Sequence, residues 1–189
     1  MFKGINFKKI TVYQICILAM LVALTSILSF VSGYLRIGNI SKFSISFVSV
    51  YIAAAAFGPF AGGLVGALAD IVSYFVNPIG GYIPWFTLIE FVNGFVFGML
   101  FYRTDTRRMN LFELAFRAVL CSFTQLAINM FGRTYILVVL GFMPQSFWNA
   151  FAIRLPASAL MAAIKVPALI MLEGVVPSLV AMARAAEGK

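Results

Sequence analysis

Four charged residues interrupt long apolar runs of this chain: Asp70, Glu90, Arg133 and Arg154. A charge at the bilayer centre costs at least ~2.5–3.5 kcal/mol on insertion scales, so such side chains face a protein interior or a cavity. Carboxylates accept paired N–H donors from a heterocycle, and a guanidinium grips a carboxylate through two parallel hydrogen bonds. Four such charges at similar depth would suit a polar ligand pocket inside a small helical bundle. Other chemistry lacks its residues. The chain has no His and two Cys, and no His-Glu-x-x-His, Gly-x-Ser-x-Gly or Walker A motif. Metal ligation, hydrolysis and ATP turnover have little to work with, and neither a cofactor nor a metal is expected.

The segments that must position these residues are hydrophobic throughout. Of 189 residues, 62 % are hydrophobic and 11 % charged, against about a quarter charged in soluble domains. Mean hydropathy is +1.00. A spanning sheet needs closure and strict alternation, whereas Ala-, Leu- and Gly-rich runs abound here, so the expected class is an all-α membrane protein. Six spans are expected, at about 10–33, 44–58, 60–77, 84–102, 112–140 and 148–175, forming one compact bundle over residues 1–189. Phe57-Gly58-Pro59-Phe60 is a tight turn between the second and third, because Gly tolerates positive φ and Pro starts a helix.

Basic residues orient the bundle. Lys3, Lys8 and Lys9, then Arg103, Arg107 and Arg108, then Arg184 and Lys189 fall on one side of a six-span chain. That side is cytoplasmic by the positive-inside rule, so both termini are cytoplasmic. Arg36 and Lys42 lie on the outside, either as ordinary exceptions or as partners of an anionic ligand. The net charge of +8 anchors the protein to anionic lipid, and no contiguous basic stripe supports nucleic-acid binding. The first apolar run is expected to be an uncleaved helix, and Cys16 and Cys121 to be reduced, buried thiols.

At 1.5 Å rise per residue, Asp70, Glu90, Arg133 and Arg154 each lie about 9–11 Å below the outer surface. Asn93, Asn129 and Asn149 flank the same layer. Two readings stay open: the charges pair and staple the bundle, or they line a polar cavity. Lys165 is deeper, and Glu173 is near the cytoplasmic end, where snorkelling or mutual pairing suffices. The external connections carry Gly, Pro and aromatics, including Tyr82 and Trp85, and serve as interfacial anchors or as lids over the charged layer.

Specific motifs sharpen this. Span three carries Gly62-Gly63-Leu64-Val65-Gly66-Ala67-Leu68-Ala69-Asp70, after the Phe57-Gly58-Pro59 turn and before Tyr82-Ile83-Pro84-Trp85-Phe86-Thr87-Leu88 and Asn93-Gly94. Together these resemble the substrate-binding S component of energy-coupling-factor (ECF) vitamin transporters, and most closely its folate branch. Trp85 stands where the family usually has a small residue, and Glu90 is not part of its pattern. The resemblance implies a six-helix protein of the bacterial plasma membrane that is not an enzyme. The resemblance also implies capture of folate or a related pterin from outside, together with a transmembrane coupling subunit and two ATPases. Ala19 and Ala23 fall on the Ala-xxx-Ala motif that docks onto the coupling subunit. The pterin is expected on Asp70 or Glu90, stacked on Tyr82, Trp85 or Phe86. The glutamate moiety is expected on Arg36, Lys42, Arg133 or Arg154, with Asn93 and Asn129 beside them. Pantothenate or a queuosine precursor is the alternative substrate; a membrane enzyme or an assembly subunit is the alternative class.

Overall fold

The computed structural model describes residues 12–34, 36–37, 41–42, 45–76, 81–102, 109–141, 147–174, 176–178 and 181. Its elements are helix α1 (Val12–Tyr34), a ribbon of β1 (Arg36–Ile37) and β2 (Ser41–Lys42), then α2 (Phe47–Phe57), α3 (Pro59–Val76) and α4 (Pro84–Phe101). Helix α5 (Leu111–Ile128) runs through a π-helical turn (Asn129–Arg133) into α6 (Thr134–Val139), and α7 (Phe147–Leu172) follows. Among the described residues, five helical segments are long and apolar enough to cross a membrane, and α5 through α6 form one of them. The termini on which the cytoplasmic assignment rests lie outside the described residues.

The second expected span is the exception in length. Helix α2 begins only at Phe47 and has 11 residues, about 16 Å of rise against some 30 Å of hydrocarbon. It can be short because it is interior: Tyr51, Ala53, Ala54 and Ala55 are wholly buried. A helix wrapped by others does not have to match the lipid thickness. Its end is abrupt because Gly58 adopts φ +99°, which side-chain-bearing residues avoid. The Gly58 N–H closes onto the Ala54 carbonyl at 3.0 Å, and Pro59 opens α3.

The seam between α3 and α4 explains the glycine spacing. A Cβ added at Gly62 would stand 2.7 Å from the Gly94 carbonyl oxygen, and one at Gly66 would stand 2.7 Å from that of Glu90. A Cβ on Gly94 would in turn collide with the Gly62 carbonyl. The two backbones touch directly, which is how small residues hold membrane helices together where burial from water offers no drive.

Below this seam lies a close-packed core. Tyr51 meets Phe97 and Phe101 edge-to-face, with ring centroids 5.8 and 5.1 Å apart. Val65, Leu114, Ala118, Cys121, Leu169 and Val176 pack around them. The Tyr51 hydroxyl donates to Glu173 Oε2 at 3.4 Å, and the Met109 N–H donates to Glu173 Oε1 at 3.3 Å. The deep carboxylate thus ties α2 to the start of α5. Outward-facing Ile27, Phe75, Phe112, Phe123 and Met171 are exposed, as a lipid-facing surface requires. Cys16 is exposed too, correcting its expected burial, and both thiols are free.

Candidate functional site

Above the aromatic core the helices part around a cavity of about 600 Å³, within the size range of small-molecule sites. Each wall is one face of a helix. Gly66, Ala69, Asp70, Ser73 and Tyr74 come from α3, and Phe86, Glu90, Asn93 and Phe97 from α4. Arg154, Ser158, Met161, Ala162 and Lys165 come from α7. All follow the three-and-four spacing that puts residues on a single helical face.

The wall from α5 needs a special device. Gln125, Asn129, Arg133 and Leu137 all line the cavity at a uniform spacing of four. In an unbroken α-helix, residues four apart advance by about 40°, so three such steps would swing Leu137 about 120° out of line with Gln125. The π-turn at Asn129–Arg133 absorbs roughly one residue and keeps the row aimed inward; such bulges recur at functional sites.

Three polar networks result. Arg133 Nη2 pairs with Glu90 Oε1 between the π-turn and α4, and the guanidinium lies 5.6 Å from the centroid of the Phe86 ring. Thr87 Oγ1 donates to Asp70 Oδ2 at 2.7 Å. Because that carboxylate only accepts, Tyr82 donates to Thr87 in their 2.8 Å contact. Lower down, Asn129 Nδ2 donates to Asn93 Oδ1 at 3.3 Å and to the Gln125 carbonyl at 2.8 Å. Gln125 Nε2 donates to the Asn93 carbonyl at 3.2 Å.

Arg154 differs from its neighbours. It lines the cavity, yet its Nη1 is buried with no hydrogen-bond partner among the described residues, and Arg133 Nε is in the same condition. No described carboxylate lies within ion-pair distance of Arg154, and the like charge of Arg133 acts on it. Buried donors without acceptors are costly. An anionic group entering the cavity would relieve that cost.

Of the residues expected in the site, the structure brings together Asp70, Tyr82, Phe86, Glu90, Asn93, Asn129, Arg133 and Arg154. Of the two readings of the charged layer, one part of each holds: Glu90 and Arg133 pair, and a cavity is present. Trp85 is a correction. It is 60 % exposed and lines no part of the cavity, since the residue beside Pro84 at the start of α4 turns to the outer face, as an interfacial anchor would. Arg36 and Lys42 are cross-strand partners in the ribbon, while their side chains lie outside the described residues. Ala19 and Ala23 are exposed on α1.

Sequence reasoning missed Thr87, Ser122, Gln125 and Lys165. For Ser122, Gln125 and Lys165 the signal was present as polar stripes: Ser122, Gln125, Asn129 and Arg133 on one apolar helix, and Arg154, Ser158 and Lys165 on another. Lys165 was discounted for its depth, and the cavity reaches that depth.

Residues 13–182 match the family described as ECF transporter, substrate-specific component. The chain belongs to that family. It is therefore a non-enzymatic, multi-pass membrane component of a bacterial transporter, with an all-helical fold. This S component is 31 % identical over 93 residues to the folate transporter FolT of Clostridium novyi (strain NT). That alignment takes in 49 % of this chain and spans about half, 51 %, of the relative's length. Among solved structures it is similar to FolT bound with folic acid, with a TM-score of 0.68 and 23 % identity over 86 % of this chain and 95 % of that one. At that identity the likeness shows the fold.

Proposed function

We propose that this S component captures folate or a related pterin from the extracellular side and passes it to a coupling subunit driven by two ATPases. The observation that carries this is the pairing of groups around one cavity: a Thr87-oriented carboxylate, Asp70, and a guanidinium, Arg154, with a buried donor and no protein acceptor. A pterin has adjacent ring N–H and amino donors that suit a carboxylate edge, and its flat ring suits the Phe86 and Tyr82 faces. Its glutamate moiety supplies the carboxylate that Arg154 lacks among the described residues, and Arg36 and Lys42 are proposed as further partners of the same tail. Asp70, oriented by Thr87 beside the aromatic faces, is the carboxylate assigned to the ring, and Arg154 is the primary partner of the tail. The relative named a folate transporter supports the same substrate.

Calorimetry of the purified protein against a vitamin panel tests the reading. Folic acid should bind at nanomolar strength; heat from pantothenate or a queuosine precursor and none from folates would replace the substrate while leaving the family intact.

Coupling is assigned to the exposed Ala19 and Ala23, which offer a narrow strip where another helix can approach closely. Ala19→Trp or Ala23→Trp should abolish ATP-dependent uptake in cells carrying the full complex and leave folic acid binding by the isolated protein unchanged. Normal uptake by both variants would reduce the strip to lipid-facing surface.

A further inference from the structure

The bottom of the cavity carries donors that the layer of Asp70, Glu90, Arg133 and Arg154 does not use. Lys165 stands about three turns beyond Arg154 on the same face of α7. Its Nζ donates to Gln125 Oε1 at 2.9 Å and sits 5.6 Å from the centroid of the Phe47 ring. The Gln125 amide is held from its other end, since Nε2 donates to the Asn93 carbonyl, so Oε1 is committed to the lysine. One turn earlier on α5, Ser122 is 5 % exposed and lines the cavity, and its Oγ has no partner among the described residues. An ammonium has three N–H donors, of which Gln125 takes one, and a hydroxyl has one O–H. Phe47, Val50 and Phe97 give the same region apolar walls. A flat ring could enter between those walls, and the polar atoms it meets at the bottom are donors.

We propose that Lys165 and Ser122 form a subsite for the acceptor edge of the bound ring, a carbonyl oxygen with an adjacent unsubstituted ring nitrogen. The proposal rests on the folate reading, because the 4-oxo oxygen of a pterin and the unsubstituted ring nitrogen N5 across from it, on the side away from the N3–H donor, are such an edge. An amino group in place of the oxo group presents N–H to donors, leaving buried groups unmatched, which is the kind of mismatch that sites built on hydrogen bonds discriminate best. The subsite therefore selects what the ring carries, while Arg154 responds to the charge of the tail.

The test is calorimetry with folic acid and its 4-amino analogue on the wild-type protein, Lys165→Met and Ser122→Ala. Methionine preserves an unbranched chain against Phe47 while removing the donors. Lys165→Met should weaken folic acid about ten- to a hundredfold and the 4-amino analogue by no more than about twofold, the scale of a charged hydrogen bond lost from one compound only. Ser122→Ala should move the same ratio about three- to tenfold. Equal losses for the two compounds overturn the subsite and leave the folate reading standing. Failure of the wild-type protein to bind either compound overturns the folate reading, and the subsite with it. Should Lys165→Met not fold, the ratio measured on Ser122→Ala decides by the same rule.

Discussion

The two halves of this bundle are built on opposite principles. Around Tyr51 the interior is dry and closed: Ala53, Ala54, Ala55 and Ala118 are wholly buried, aromatic rings interlock, and the deep carboxylate Glu173 receives two donors. Around Arg154 the helices stand apart, and the cavity-lining atoms Arg154 Nη1, Arg133 Nε, Ser73 Oγ and Ser122 Oγ are buried with no partner among the described residues. Polar groups left unmatched in a membrane interior are destabilising, and native structures keep few of them. Ser49 Oγ on α2 and Thr134 Oγ1 are in the same condition away from the cavity, but the four that line it are a reserve of binding energy.

The comparison is most directly broken at the glycine seam. Gly62→Val would drive new atoms into the Gly94 backbone and the Ala54 methyl, which would stand 2.5 Å from the added Cβ. The expected outcome is loss of about 3 kcal/mol or more of stability, seen as failed purification or a large drop in thermal midpoint in detergent. A valine tolerated there would mean the helices are not in backbone contact.

Arg154→Met should have the opposite profile. Removing a guanidinium with no described acceptor should leave the thermal midpoint of the free protein unchanged or raised, while folic acid binding weakens about a hundredfold, roughly 2.7 kcal/mol. Lower stability with unaltered affinity would assign Arg154 to holding the bundle together.

Glu90→Gln sits between these cases, because it breaks a pair the protein has already made. The expected loss is about 1–3 kcal/mol of stability, since Arg133 keeps its charge and loses its partner. Glu90→Gln combined with Arg133→Met should recover part of that loss, a coupling that additive effects at independent sites would not give. Folic acid titration of the same variants would show whether the pair also touches the ring. The smallest change is expected from Trp85→Ala. Folic acid affinity should stay within about twofold, because the indole faces outward and makes no part of the cavity. A larger effect would place Trp85 over the mouth of the cavity in the bound state.

Much of this architecture was legible in one dimension. Apolar length and missing alternation gave helices in a membrane, because hydrocarbon forces every backbone group to find its partner within a helix or a closed barrel. Gly58-Pro59 marked a turn through the two residues whose φ is special. The charges were legible as interior residues because lipid penalises them wherever a cavity or partner is missing, and eight of the eleven residues expected at the substrate line one cavity. The family motif from Gly62 to Asp70 was legible for a related reason: a backbone-to-backbone seam admits only glycine.

What the tertiary structure decided was how those charges divide. Helical depth placed Glu90, Arg133, Asp70 and Arg154 in one layer, but depth carries no azimuth between helices, so it could not say that Glu90 meets Arg133 while Thr87 turns to Asp70. The π-turn was invisible because it is a matter of which hydrogen bond closes, and Asn129–Arg133 has no residue that demands it. The reach of the cavity down to Lys165 was hidden for the same reason, since a lysine at that depth reads as a snorkelling side chain until the neighbouring helices show that it points inward. Trp85 was misplaced because an aromatic residue beside a helix start suits a ligand face and a lipid face equally, and only the packing of α4 against α3 settles which way that face turns.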